Sequence, residues 1–132
     1  MKLNNVNIDN VIRIPTSLGV DFFTKWLIFL SPLHKLTNKE IAVAANFLAE
    51  RFELAKVIKD ETLLNRAIMD KHIKKKVQDA VGLKDTHFTI LLTSLRKKGF
   101  FKNNIIDYKY IPVTESQDKC TLMLFFDIKN EV

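Results

Sequence analysis

Residues 70–102, DKHIKKKVQDAVGLKDTHFTILLTSLRKKGFFK, carry two helical stripes of apolar residues with a single glycine between them, and few folds accommodate that arrangement. Ile73, Val77 and Val81 recur at helical spacing, and Asp70 stands just ahead as a cap, which predicts a helix over 71–81. Gly82 supplies the left-handed residue that ends this helix, and Leu83 is the expected buried residue of the turn. Asp85 is placed to cap a second helix over 86–98, whose Phe88, Leu91, Leu92 and Leu95 fall at i, i+3, i+4 and i+7. Two short helices joined by so tight a turn pack through their shared apolar face, so the segment is expected to form a helix-turn-helix.

The flanking sequence supplies the rest of one domain. At 132 residues the chain is long enough for a single real core and too short for two. Residues 1–10 look like a polar arm without the apolar stretch of a signal peptide, and Val11 to Ile14 alternate like a short strand before Pro15. Phe22, Phe23, Trp26, Leu27 and Leu30 fall at helical spacing up to Ser31-Pro32. Leu36-Thr37-Asn38-Lys39-Glu40-Ile41 is a capping box with a hydrophobic staple, predicting a helix to about Leu54 with Glu50, Arg51 and Glu53 facing water. Asp60 caps a shorter helix in which Leu63, Leu64 and Ile68 supply further core.

After Gly99, an apolar stretch through Ile105, Ile106 and Tyr110 and a second one, CTLMLFFDI at 120–128, are expected to pair as two strands. The expected class is mainly α with a small β-hairpin (α+β). It divides into an arm and aromatic helix (1–36), the helix-turn-helix domain (37–128) and a polar tail (129–132). Ten Phe beside few Gly and Pro imply either a packed aromatic core or an aromatic surface that a partner covers.

Charge narrows the choice of partner. The net charge is +6, and residues 70–102 account for all of it with nine bases against three acids, while the remainder balances at twelve of each. Such a concentration is the electrostatic footprint of nucleic-acid binding, and a solvated basic face is its ordinary alternative. The outer face of the second helix offers Thr86, His87, Thr89, Thr93, Ser94, Arg96 and Lys97 with no carboxylate inside it, so phosphate is not repelled there. Lys74, Lys75, Lys76, Arg96, Lys97, Lys98 and Lys102 are the candidate phosphate contacts, and Thr89, Thr93 and Ser94 the candidate groove-facing residues. Phe22, Phe23 and Trp26 are the candidate protein-interface residues.

Other chemistries find little support. The chain has no Gly-rich phosphate loop, no HExxH and no nucleophile elbow, so no catalytic residue and no cofactor are expected. Asp85, Thr86 and His87 are adjacent on a helix and point different ways, which fits capping rather than a triad. Cys120 is the lone cysteine, consistent with a reducing compartment, and its spacing from His34, His72 and His87 matches no metal site. The run WLIFL at 26–30 is far shorter than the roughly 20 residues of a membrane span.

The segment KKKVQDAVGLKDTHFTILLTSLRKKGFF, with the two apolar stretches behind it, resembles winged helix-turn-helix domains. The chain as a whole is similar to small winged-helix proteins of bacteriophages, the crAss-like group in particular, over about residues 37–128. That resemblance implies a non-enzymatic protein contacting duplex DNA, in a regulatory or DNA-architectural role in the cytoplasm of a bacterial host. Its alternative is a virion structural protein, a homo-oligomeric subunit of a head-to-tail connector ring among other phage structural proteins. The second helix carries Thr and Ser where base-reading Arg, Gln and Asn are common, which favours contact with the DNA backbone.

Overall fold

The computed structural model describes residues 11–113, 120, 122 and 126–129. Over them run five helices, α1 (Val20–Phe29), α2 (Asn38–Ala55), α3 (Glu61–Ile68), α4 (Lys71–Val81) and α5 (Asp85–Lys97). A hairpin of β1 (Phe101–Lys102) and β2 (Ile105–Ile106) follows, and 3-10 turns lie at Ser31–Leu33 and Tyr108–Tyr110. The architecture is mainly helical with one small antiparallel sheet, an α+β arrangement.

Everything packs around α2. Its capping box forms as the sequence predicts: Thr37 Oγ1 accepts from the Glu40 amide at 3.3 Å, and Glu40 Oε1 accepts from the Thr37 amide at 2.7 Å. The helix then buries Ile41, Val43, Ala44, Ala45, Phe47 and Leu48, well over one face, because α1, α3, α4 and α5 all lie against it. Ala44 and Ala45 are fully buried among these neighbours. Phe88, Leu91, Leu92 and Leu95 bring α5 into the same core, and Ile73 and Val77 do so for α4. Burying one such side chain stabilises the fold by about 1.5–3 kcal/mol.

The aromatic residues knit the hairpin to this core. Phe101 meets Phe47 edge-on at 5.2 Å between ring centroids, and Phe100 contacts Phe101 at 4.9 Å and Tyr110 at 5.5 Å. On the other side Trp26 Nε1 donates to the Tyr110 carbonyl at 2.9 Å, tying α1 to the chain that leaves the hairpin. His34 is buried below: its Nδ1 accepts from the Leu36 amide at 3.1 Å, so Nε2 carries the proton and donates to the Leu27 carbonyl at 2.7 Å.

Several expectations need correction. The hairpin closes earlier and tighter than expected, pairing Phe101 with Ile106 and Lys102 with Ile105 around the two-residue turn Asn103-Asn104. Both turn residues have positive φ, 54° and 60°, the type I′ geometry that matches strand twist, and Asn tolerates it better than most side chains. The expected second strand over 120–128 lies partly outside the described residues, and those described within it, 120, 122 and 126–128, carry no regular structure. Val11 to Ile14 are exposed and form no strand among the described residues, and the arm at 1–10 lies outside them.

Leu63 is 55 % exposed rather than core, because the face of α3 that meets α2 is set by Leu64 and Ile68. Arg51 does not face water: it is half-buried, with Nε sealed from solvent. Asp85 does not cap α5, which begins at Asp85 itself without a side-chain cap at Lys84. Its carboxylate instead accepts from Gln78 Nε2 at 2.7 Å.

Candidate nucleic-acid interface

The turn between α4 and α5 is held from one side chain. Asp70 caps α4 through the His72 amide at 3.0 Å, and Gly82 ends it with φ of 70° in the left-handed region. From the last turn of α4, buried Gln78 donates to the Leu83 carbonyl at 3.0 Å as well as to Asp85, bracing both sides of the bend. One amide group thereby fixes where α5 starts relative to α4.

The other end of α5 is fixed by a buried carboxylate. Glu40, 1 % exposed at the start of α2, accepts from Lys98 Nζ at 2.6 Å and from Ser94 Oγ. Lys98 also donates to the Lys35 carbonyl at 2.7 Å. Burial works to raise the Glu40 pKa, but the hydrogen bonds from Lys98, Ser94 and Thr37 outweigh it and hold the carboxyl down to about 2. Ser94 and Lys98, predicted as groove and phosphate contacts, are thus turned toward α2. Helical geometry explains this, since positions four apart share a face.

The opposite face of α5 is free. Thr86, Thr89, Ile90, Thr93, Arg96 and Lys97 are all exposed along it, and its acid is Asp85 at the N-terminal end, whose carboxylate accepts from Gln78. Thr89 Oγ1 donates to the Asp85 carbonyl at 2.9 Å and Thr93 Oγ1 to the Thr89 carbonyl at 3.0 Å, so both hydroxyls present lone pairs and methyl groups outward. Ile90 is 59 % exposed in the middle of this face, although in sequence an apolar residue beside Leu91 and Leu92 reads as core.

The lysines of α4 do not form one patch. Three consecutive residues sweep through roughly 200° of a helix. Lys76 lies on the edge toward α2, where it meets Glu50 at 3.3 Å, while Lys74 is half-buried one turn before Gln78 on the same stripe of α4. Lys75 is 64 % exposed and bridges to Asp79 at 3.2 Å, a surface pair of little strength that phosphate can displace.

The hairpin completes the surface. Arg96 at the end of α5 and Lys102, Asn103 and Asn104 at the hairpin tip line a shallow cleft of about 480 Å³ floored by Phe101. Lys102 also bridges to Asp107 at 3.2 Å. Hydrogen bonding from the Lys109 amide and from Lys102 holds the Asp107 carboxyl below the usual range against the opposing effect of burial. Among the described residues Lys74, Arg96 and Lys97 have no carboxylate within 4.0 Å.

The three aromatic residues predicted to meet a protein differ in exposure. Phe23 is buried in the core, and Phe22 and Trp26 pack half-buried against it. The exposed apolar residues of α1 are Val20, Ile28 and Phe29. Among the described residues no cluster of His, Cys, Asp and Glu forms a metal site, and no helix is long and apolar enough to cross a membrane. Comparison of the chain with protein-family models, curated proteins and solved structures finds no match.

Proposed function

We propose that this is a winged-helix protein, phage-encoded and non-enzymatic, that binds duplex DNA through the outer face of α5 and the hairpin as its wing. The observation that carries the proposal is the cleft between Arg96 and Lys102-Asn103-Asn104, which sets the basic C-terminal end of α5, four helical positions and more from its single acid Asp85, beside a basic hairpin tip. Phosphate contacts fall to Lys74, Lys75, Arg96, Lys97 and Lys102, while Thr89 and Thr93 meet the groove as acceptors and methyl surfaces. Lys98 and Ser94 act indirectly, by holding α5 against α2 through Glu40.

Four to five phosphate contacts give a log–log salt dependence of roughly −4, mostly independent of sequence. The test is retardation of duplex DNA by the full chain and by the Lys75→Glu, Arg96→Glu, Lys97→Glu variant, with Lys98 left intact to preserve the buried pair. Loss of retardation at low salt with an unchanged circular dichroism spectrum is expected. Retardation equal to that of the wild type, or a slope near zero, overturns the proposal.

The alternative role, a subunit of a virion connector ring, draws on a different observation. Val20, Ile28 and Phe29 remain exposed on α1, at 41 %, 54 % and 46 %, as apolar surface available to neighbouring subunits.

A further inference from the structure

A second cleft lies on the far side of α2, with a volume of about 340 Å³, in the range of small-ligand and peptide pockets. Its floor is apolar, formed by Phe23, Phe52 and Ile111, and Arg51, Lys56 and Lys59 stand around it. Arg51 is half-buried at its edge, with Nε buried and without a hydrogen-bond partner, so the guanidinium brings a positive charge that no side chain there neutralises through that atom. Lys56 is engaged by Glu53 at 3.1 Å and lies 5.1 Å from the centre of the Phe52 ring, and Lys59 donates to the Ala55 carbonyl at 3.3 Å. The chemistry that fits is a carboxylate between apolar side chains.

The chain itself carries that pattern. Phe126 and Ile128 are 83 % and 87 % exposed, with Asp127 between them. Large apolar residues so exposed on either side of an acid have the reverse character of the cleft, apolar against apolar and acid against base. The chain leaves the fold past Ile111 and Pro112, which themselves line the cleft, yet its own Phe126 and Ile128 stand in solvent rather than in it.

We propose that the cleft of one protomer receives Phe126-Asp127-Ile128 of a second copy, with the two apolar side chains on the Phe23–Phe52 floor and the Asp127 carboxylate at Arg51 and Lys59. Because two different patches meet, the contact is heterologous, and repeating it closes a ring or extends a chain of copies. It rests on neither role proposed above and leaves the α5 face open.

Sedimentation velocity on the full chain across a wide concentration range tests it. Association of the wild type is expected, weakened at least ~10-fold by Phe126→Ser with Ile128→Ser, and equally by Arg51→Glu with Lys59→Glu. Mixing the tail variant with the cleft variant restores one joint per pair and should give a dimer that grows no further. The tail substitutions fall on exposed residues, so they keep the test decisive if the cleft variant fails to fold. A wild type that stays monomeric at every concentration, association untouched by the tail variant, or a mixture of two folded variants that gives no dimer overturns the proposal. Retardation of duplex DNA by the tail variant separates this outcome from that of the α5 interface.

Discussion

Replacing Glu40 by Gln tests whether one buried charge holds α5 in place. The substitution keeps size and shape but removes the negative charge that Lys98 meets at 2.6 Å, and it turns an NH₂ toward groups that already donate. The carboxyl is held from its ordinary 4.5 down to about 2 in the folded protein, a difference worth about 3 kcal/mol of stability at neutral pH. Leaving the Lys98 ammonium, 29 % exposed, without its carboxylate gives a similar figure, since breaking a buried pair costs about 3–5 kcal/mol and partial exposure lowers that. For a chain of 132 residues the loss lowers the melting temperature by roughly 10 °C.

The pH dependence makes the test specific. A folded pKa below the unfolded one contributes stability that is fully present above the unfolded value and disappears as pH falls through the folded value. Urea unfolding of wild type and Glu40→Gln should therefore differ by about 3 kcal/mol at pH 7 and converge as the pH falls from about 5 to about 2. A difference under about 1 kcal/mol at pH 7, or one that stays constant down to pH 2, would refute the assignment of the stabilisation to the ionised carboxylate.

Two other substitutions probe the joints on either side of α5. Gln78→Ala removes both donors across the turn and should cost about 1–2 kcal/mol in urea unfolding, with faster amide exchange at 83–86, whereas unchanged exchange would show that Gly82 alone fixes the bend. Asn104→Val places a β-branched residue at a φ of 60° and should cost about 1–2 kcal/mol, while Asn104→Gly should be neutral or stabilising; equal effects of the two would argue against the type I′ turn.

What could be read from the sequence was local. The capping box at Thr37 and Glu40, the Asp70 cap and the Gly82 terminus each depend on residues within a few positions, and the structure has all three. The Glu40–Lys98 pair joins residues 58 apart and leaves no periodic trace, so Lys98 and Ser94 read as surface polar residues. Asn103-Asn104 carried the signature of a two-residue hairpin in plain view, but the longer apolar run at 120–128 drew the strand expectation away from it. An apolar run states what a segment avoids, and not which partner it meets. Asp85 reads as a cap because a cap and a receptor for Gln78 look alike until the fold brings Gln78 near.

The Trp26 hydrogen bond to Tyr110 also gives the protein a built-in reporter. Trp26 is the lone tryptophan, and its indole N–H reaches a carbonyl 84 residues away, at the seam where the first helix meets the chain emerging from the hairpin. Its fluorescence therefore follows closure of that seam, whereas far-ultraviolet circular dichroism follows the five helices together. Coincident transitions would mean that the helical body and its closure form one cooperative unit. A fluorescence change at lower denaturant would mean that α1 lifts away first, exposing Phe23 and the floor of the cleft beside it.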